Sequence, residues 1–202
     1  MSHQELLESI WDGVVPGAEP ERFALRRDWL VARVEPGARV LDLGCGEGQF
    51  AVALRARGAH PLGVDVVAEP LRRARERHPE LAWRLAPIDG PLPLDDRAVD
   101  VVWAGEVVEH VVDVAAWLGE VRRVLPSGGR LLLTTPDLSP ALLRRLADDP
   151  PALDAHFDPR ADHVRFFTER TLRELVESLR FDVASLESDG QTLFLEAVRA
   201  RF

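Results

Sequence analysis

The 202-residue sequence contains no lysine, asparagine or tyrosine, and all 25 of its basic residues are arginine. These absences exclude a phosphate loop of the Gly-Lys-Ser/Thr kind, a Schiff-base lysine and N-glycosylation. They also exclude the catalytic tyrosine and lysine of a short-chain nicotinamide-dependent oxidoreductase. The single cysteine, Cys45, rules out an internal disulfide and a multi-thiolate zinc site.

Acidic residues outnumber basic ones by 34 to 25, which gives a formal net charge of -9 at pH 7. Because non-specific nucleic-acid affinity comes mainly from neutralised phosphates, this balance argues against a nucleic-acid partner. The arginine-rich segment 72–77 is interspersed with glutamate and is interpreted as a solvated helix face. No apolar run reaches the roughly 18 residues of a membrane span, and the first residues do not resemble a signal peptide. We therefore expect a cytoplasmic protein with no membrane span.

Short β-branched apolar runs alternate with amphipathic helical ones, which is typical of an α/β fold with a parallel sheet. The pattern predicts strands at 38–43, 60–64, around Trp83, 99–103, 130–134, 181–186 and 192–198. It predicts helices at 6–11, 22–34, 49–57, 69–78, 112–125, 142–147 and 168–179, the last with Thr168 as its N-cap. Residues 148–162 are predicted to form a Pro/Asp-rich loop. An Asp-Gly pair in the segment 188–191 favours an antiparallel hairpin, so the sheet is expected to end on a reversed edge.

A glycine-rich turn, Asp42-Leu43-Gly44-Cys45-Gly46-Glu47-Gly48, follows the first predicted strand and precedes a helix. Glycines there permit a tight turn and let a ligand approach the backbone at the carboxyl end of the sheet. Gln49 stands where a dinucleotide fingerprint needs its third glycine, and Glu47 disfavours a pyrophosphate at the helix N-terminus. Asp42 suits a cationic group of a ligand.

This turn resembles the first motif of class I S-adenosylmethionine-dependent methyltransferases. The later segments Gly63-Val64-Asp65, 92–102 and 125–131 resemble further family motifs and arrive in the family's order. The resemblance spans residues 36–198 and implies a Rossmann-like seven-stranded, mostly parallel sheet with helices on both faces and a reversed C-terminal edge hairpin. It also implies one methyltransferase domain over 1–202, divided into an N-terminal helical flank (1–36), a cofactor-binding half (37–135) and an acceptor-side half (136–202).

Carried over by position, the resemblance places Asp42, Gly44 and Gly46 around the methionine end of S-adenosyl-L-methionine and Asp65 on the ribose. The alternative for Asp65 is a helix cap. The full set of expected cofactor-binding residues is Asp42, Gly44, Cys45, Gly46, Asp65, Val66, Ile88, Asp89 and Glu106. Cys45 is otherwise a small loop residue, since no neighbouring histidine could activate its thiol. Ile88 occupies the position where the family often has an aspartate, so either the adjacent Asp89 or the backbone makes the adenine contact.

The segment Glu106-Val107-Val108-Glu109-His110-Val111 resembles the ubiquinone-pathway O-methyltransferases and, more distantly, the small-RNA 2′-O-methyltransferases. In those families such a cluster can hold a divalent ion, which would involve Glu106, Glu109, His110 and a later histidine, His163. Residues i, i+3 and i+4 share a helix face, so the first three converge if a helical turn begins near Glu106. The competing interpretation is a hydrogen-bonding strut at His110, and a metal is possible but not expected. His110 and His163 are the candidate catalytic bases.

The predicted function is therefore an S-adenosylmethionine-dependent methyltransferase that methylates a small molecule. Oxygen is favoured over nitrogen and carbon as the methylated atom. Two alternatives stay open, an RNA 2′-O-methyltransferase-like enzyme and a non-catalytic S-adenosylmethionine-binding module. The sequence does not specify the methyl acceptor or the oligomeric state. The remaining histidines, which are His3, His60, His78 and His156, give no functional signal.

Overall fold

The computed structural model describes residues 2–88 and 90–201. Within them, seven strands form one sheet in the order β3-β2-β1-β4-β5-β7-β6. The strands are β1 (Arg39–Leu43), β2 (His60–Asp65), β3 (Ala82–Leu85), β4 (Val101–Gly105), β5 (Arg130–Pro136), β6 (Phe181–Ser188) and β7 (Thr192–Arg199). Strands β1 to β5 pair in parallel, while β7 runs antiparallel to both β5 and β6. The predicted α/β sheet with its antiparallel C-terminal hairpin is confirmed.

The same residues form eight α-helices and one short 3-10 helix. The α-helices are α1 (His3–Gly13), α2 (Phe23–Val31), α3 (Gln49–Ala56), α4 (Ala68–Arg77), α5 (Val114–Val124), α6 (Pro140–Ala147), α7 (Pro150–His156) and α8 (Glu169–Ser178); the 3-10 helix is Val108–His110. None of them, in the described part of the chain, combines the length and the apolar character needed to cross a bilayer.

Helices cover both faces of the sheet because alternate strand residues point to opposite sides. On one face Leu41 and Leu133 pack in a buried cluster with residues of α5 and α8, such as Leu118 and Leu172. On the other face Val40 and Trp103 join a second cluster with α2 and α3. With both faces covered, the carboxyl ends of the strands are left to form a ligand site.

One predicted loop is wrong, since residues 148–162 contain the helix α7. Asp149 accepts a hydrogen bond from the Ala152 N–H at 3.2 Å, and prolines occupy the first helical positions. A Pro/Asp-rich composition is therefore a helix-start signal here rather than a loop signal, because proline fits the first turn and aspartate caps it. The predicted cap at Thr168 is confirmed, since its hydroxyl accepts the Thr171 N–H.

The topology switches direction at β1, which lies between β2 and β4. The chain leaves β1 for one edge of the sheet and returns to β4 on its other side. The loops that follow β1 and β4 therefore diverge and leave a crevice at their carboxyl ends. Leu43, Asp65 and Gly105 end the three strands around this crevice.

Candidate cofactor and acceptor site

The glycine turn after β1 has no space for a side chain at Gly44. Gly44 has φ of +73°, and a Cβ there would lie 2.5 Å from Cγ2 of Val107. Gly46 also has positive φ, +52°. The N–H groups of Gly44 and Cys45 both donate to the Val64 carbonyl, at 2.8 and 3.1 Å. The turn is thus fixed against the end of β2, with glycine required by conformation and by space.

Asp65, the last residue of β2, holds the turn from the other side. One of its carboxylate oxygens accepts the Gly46 N–H at 2.8 Å, and the other accepts the Val67 N–H at 2.9 Å. The side chain is buried, and this burial raises its pKa. Asp65 is not the N-cap of α4, because Val67 holds that position and the helix has no side-chain cap. The helix-cap alternative is therefore wrong, and Asp65 instead fixes the glycine turn and lines the cavity at the ends of β1, β2 and β4.

Asp42 is 1% exposed, and one of its carboxylate oxygens, Oδ2, has no hydrogen-bond partner among the described residues. Burial is the main cause that raises its pKa to about 7, and the charge of Asp65 adds to this effect. A buried carboxylate oxygen without a donor is a costly feature that a cationic or hydrogen-bonding ligand would relieve.

The Cys45 side chain faces away from the crevice. Its sulfur is packed in a buried cluster with Ala51, Leu71 and Trp83, and burial raises the thiol pKa well above its ordinary value. The expected cofactor contact at Cys45 is therefore confined to its backbone, and its thiol is inert.

A cavity of about 680 Å³ opens at the ends of β1, β2 and β4. Gly44 and Asp65 form one side of it, and Val66 and Ile88 contribute apolar surface. Asp42 and Gly46, which were predicted at the same site, do not line it. Asp89, which was predicted at this position, lies outside the described residues. The lining as a whole is His3, Leu7, Leu43, Gly44, Asp65, Val66, Ala86, Pro87, Ile88, Gly90, Pro91, Leu92, Val107, His110, Val111, Val112, Asp113, Ala116, Trp117 and Glu120.

A second, smaller cavity of about 290 Å³ lies beside the first. Its residues come mainly from the start of α2, the segments after β4 and β5, and the β6–β7 turn. They are Glu21, Arg22, Arg26, Glu106, Pro136, Asp137, Leu138, Leu142, His156, His163, Arg165, Phe166, Gln191 and Thr192. These two are the larger cavity and the smaller cavity.

Glu106 lines the smaller cavity rather than the larger one, where a cofactor contact was expected. Its φ of +58° places it in the left-handed region, and the 3-10 helix starts only at Val108. The predicted helical face through Glu106, Glu109 and His110 is therefore wrong. The Glu106 carboxylate lies 3.8 Å from Nε of the buried Arg26, yet its Oε1 has no hydrogen-bond partner among the described residues. Burial raises its pKa.

Glu109, His110 and His163 do come together. One ligand atom from each lies within 4.8 Å of the other two. Thr135 Oγ1 donates to Glu109 Oε2 at 2.9 Å, while Glu109 Oε1 has no partner in the described chain. Burial and the nearby Glu106 raise the Glu109 pKa to about 8. One carboxylate and two imidazoles fit a borderline divalent ion, so the metal alternative, which was not expected, stays untested and excludes Glu106 from its ligands.

His110 is oriented from the loop before α8. Its Nδ1 lies 3.1 Å from the Asp162 carbonyl and 3.3 Å from the Asp162 carboxylate. Both partners are acceptors, so Nδ1 carries the proton and Nε2 keeps its lone pair. Burial lowers the His110 pKa, which favours the neutral ring. The ring lies edge-on against that of His163, with the centroids 4.8 Å apart.

Several residues that line the two cavities carry no signal in the sequence. Arg26 lies under the smaller cavity, stacked on Phe50 and donating to Thr134 Oγ1 at 3.1 Å. His3 and His156, which gave no signal, line the larger and the smaller cavity respectively. These residues are far from the motifs in sequence, so no local spacing could have revealed them. Phe166 forms part of the apolar wall of the smaller cavity.

Comparison with known proteins decides the family. A sequence model of the methyltransferase domain matches residues 19–186. This chain belongs to that methyltransferase family. The predicted resemblance to S-adenosylmethionine-dependent methyltransferases is confirmed by this match and by the relatives below.

A probable S-adenosylmethionine-dependent methyltransferase of Mycolicibacterium smegmatis is 32% identical over 84% of this chain and 63% of its own length. A ubiquinone biosynthesis O-methyltransferase of Xylella fastidiosa (strain M23) is 36% identical over 55% of this chain and 47% of its own length. The methyltransferase chain thus spans between about half and two thirds of the length of these relatives.

Solved structures confirm the fold. The geranyl diphosphate C-methyltransferase of Streptomyces coelicolor A3(2) superposes with a TM-score of 0.75, at 17% identity and 99% coverage of both chains. The [4+2]-cyclase SpnF superposes with a TM-score of 0.71, at 19% identity, covering 97% of this chain and 92% of its own. Because a methyltransferase and a cyclase share the fold, the reaction must be argued from the site.

Proposed function

We propose that this protein is an S-adenosyl-L-methionine-dependent methyltransferase that transfers a methyl group to an oxygen of a small molecule. The observation that carries the proposal is the pair of adjoining cavities. His110 lines the larger one and His163 the smaller one, and their rings are in contact. A group-transfer enzyme needs such an arrangement, with donor and acceptor held on either side of a short gap.

The larger cavity is proposed as the cofactor site. Asp65 would accept hydrogen bonds from the ribose, and Val66 and Ile88 would contact the adenine. Gly44 lines this cavity, where its lack of a side chain leaves room for the methionine end. Asp42 is 1% exposed and, like Gly46, does not line the cavity, so contact of its unpartnered oxygen with a cationic amino group would require the glycine turn to shift. The cavity's volume of about 680 Å³ falls within the usual range for small-molecule sites.

The smaller cavity is proposed as the acceptor site. At about 290 Å³ it suits one small ring or chain rather than a polymer. Leu138 and Phe166 give it apolar walls, while Glu106 and His163 offer acceptors to a hydroxyl group. The names of the ubiquinone biosynthesis O-methyltransferases support oxygen as the methylated atom.

Bound S-adenosylmethionine would supply the electrophilic methyl group. The chain's own part in the reaction is to align the acceptor oxygen with that methyl and to take its proton. His163 lines the smaller cavity and is placed to accept the proton. His110 contacts the His163 ring and is placed to hold that ring in position. Asp162 keeps His110 in the tautomer with a free Nε2.

Calorimetry with S-adenosylhomocysteine, followed by methyl transfer from S-adenosylmethionine to a panel of small phenols, catechols, amines and thiols, tests the proposal. We expect binding in the micromolar range and turnover restricted to hydroxyl acceptors. Failure of the wild-type protein to bind S-adenosylhomocysteine would refute the cofactor assignment. Binding without turnover on any acceptor class would favour the non-catalytic module, and turnover of amines alone would refute oxygen as the target.

A further inference from the structure

Helix α1 is part of the cofactor cavity although it lies outside the family match, which begins at residue 19. His3 and Leu7 line the larger cavity. None of the α1 residues is buried, whereas every other α-helix of eight or more residues in the described chain buries at least one. The helix therefore forms a wall of the cavity without being anchored in the core.

Two contacts place α1 across the carboxyl ends of β1 and β2. Gln4 Nε2 donates to the Val66 carbonyl at 3.1 Å. Near the other end of the helix, the Trp11 ring comes so close to the glycine turn that a Cβ at Gly46 would lie 3.0 Å from it. The helix thus spans the crevice from the proposed adenosine side to the proposed methionine side.

The segment after α1 is fastened through Glu47, a residue of the glycine turn. The Glu47 side chain is 1% exposed, and it accepts the Gly17 N–H at 2.8 Å and Arg73 Nη1 at 3.1 Å. Arg77 also donates to it. Arg73 Nη1 donates in addition to the Val14 carbonyl, at 2.9 Å. The interpretation of this arginine cluster as a solvated face is thus wrong for Arg73.

A helix held in this way can detach without unfolding. Ser2 and Glu5 form a capping box, so α1 carries its own N-terminal stabilisation. Gly13 and Gly17 bracket the segment that follows, and Gly17 has φ of +82°. Detachment would expose little core, but it would break the bond from the Gly17 N–H to the buried Glu47 and the bonds from Arg73 to the Val14 and Trp11 carbonyls. These bonds are the main restraint, and the ion pairs of Glu47 with Arg73 and Arg77 hold their donor and acceptor groups in place.

We propose that α1 is a movable wall of the cofactor cavity and that Glu47 is a positioning residue that holds it closed through Arg73 and Arg77. The inference rests on the proposed function in one respect, since the ligand that α1 would cover is the proposed cofactor, S-adenosylmethionine, or its product, S-adenosylhomocysteine. Closure of α1 over bound ligand would slow ligand departure more than ligand entry.

Arg73→Gln and Arg72→Gln form a matched pair to test this. Both arginines lie on α4 and both pair with Glu69, but Arg72 has its other partner at Glu76, on the same helix. We would measure the dissociation rate of S-adenosylhomocysteine by stopped flow and the amide exchange of residues 3–17 with and without it. We expect Arg73→Gln to raise the dissociation rate about tenfold and to remove ligand protection of α1. Arg72→Gln should behave as wild type.

A purely structural role for Glu47 would lower the melting temperature of the free protein without changing the dissociation rate, so equal rates in the two variants would overturn the proposal. Leu7→Ala gives a second route, because it weakens the wall without touching Glu47 and should also speed dissociation. An unchanged dissociation rate in Leu7→Ala would overturn the movable wall. The same conclusion would follow if S-adenosylhomocysteine protected the amides of β1 and β2 in the wild-type protein but not those of α1. Both outcomes would leave the cofactor assignment intact. Absence of any binding to the wild-type protein would overturn both.

Discussion

The imidazole of His110 meets that of His163 edge-on at 4.8 Å, and each ring belongs to a different cavity. Residues 53 positions apart in the chain are brought together because the loop before α8 folds over the segment after β4. The Val164 and Arg165 N–H groups donate to the Glu109 carbonyl at 2.9 and 3.1 Å, which fixes this loop. The boundary between the proposed cofactor and acceptor sites is thus built on backbone hydrogen bonds as well as side chains.

Asp65→Ala should weaken S-adenosylhomocysteine binding by roughly 1.5 to 3 kcal/mol, the scale of lost charge-assisted hydrogen bonds. The loss has two sources, since Asp65 would contact the ribose and also holds the Gly46 N–H. Calorimetry provides the measurement. Asp100→Ala is the control, because this aspartate precedes β4 at the opposite end of the sheet and pairs with Arg39. Equal affinities in the two variants would contradict the ribose assignment.

Gly44→Ala should abolish cofactor binding and destabilise the fold. Its Cβ would overlap Cγ2 of Val107 at 2.5 Å, and its φ of +73° adds strain. Gly37→Ala separates the two causes, because Gly37 has φ of +82° but open space around its Cβ position. We expect Gly37→Ala to cost about 1 kcal/mol of stability and no affinity. Normal binding by Gly44→Ala would show that the glycine turn is not the cofactor site.

Much of the sheet could be predicted because each strand is a short apolar run bounded by turn residues. The position of the larger cavity could be predicted for a related reason, since Gly44 and Asp65 stand at the ends of the strands that carry them. The lining of the smaller cavity could not. Arg26 and His156 reach the smaller cavity only through tertiary packing, and Glu106 departs from the helical face because its backbone is left-handed.

The role of Glu47 shows a different limit of sequence reasoning. Its place in the glycine turn predicted that Glu47 disfavours a pyrophosphate ligand. In the structure its carboxylate instead pairs with Arg73 and Arg77. Both arginines stand in a segment whose many glutamates suggested solvated pairs. Local charge patterning cannot distinguish a pair within one helix from a pair between two elements.

The free protein should lose stability as the pH rises from about 4 to about 7, because of Asp42. Its pKa is raised from 3.8 to about 7 by burial, so the folded state retains a proton that the unfolded state releases. At about 1.4 kcal/mol per pKa unit, the loss is at most about 4 kcal/mol. Asp42→Asn should remove the Asp42 share of this loss and be more stable than wild type above pH 7 in urea titrations. The shares of Asp65, Glu106 and Glu109, whose pKa values burial also raises, should remain.

Asp100→Asn is the control for that series, since Arg39 lowers the Asp100 pKa and the pH effect has the opposite sign. Its small contribution should be present at neutral pH and disappear in acid. A wild-type stability that stays level between pH 4 and pH 7, or that Asp42→Asn does not alter, would contradict the burial of an unpaired carboxylate at Asp42.

The protein should show no binding to single-stranded or duplex RNA at physiological salt. Its net charge is -9, and Arg22 and Arg26 in the smaller cavity already contact Asp189 and Glu106. Few phosphates could therefore be neutralised. Filter binding at several salt concentrations provides the measurement. Tight binding that weakens with salt would instead favour the RNA 2′-O-methyltransferase alternative.

His163→Ala should lower methyl transfer by about 10²-fold or more and leave S-adenosylhomocysteine affinity unchanged, because His163 faces the smaller cavity alone. His60→Ala is the control, since this exposed histidine begins β2 at the opposite end of the sheet. We expect activity to persist in excess EDTA, because methyl transfer from a sulfonium needs alignment and a proton acceptor rather than a Lewis acid. Loss of activity in EDTA with recovery on adding a divalent ion would show instead that Glu109, His110 and His163 hold a catalytic metal, and that His163 acts as a ligand rather than as a base.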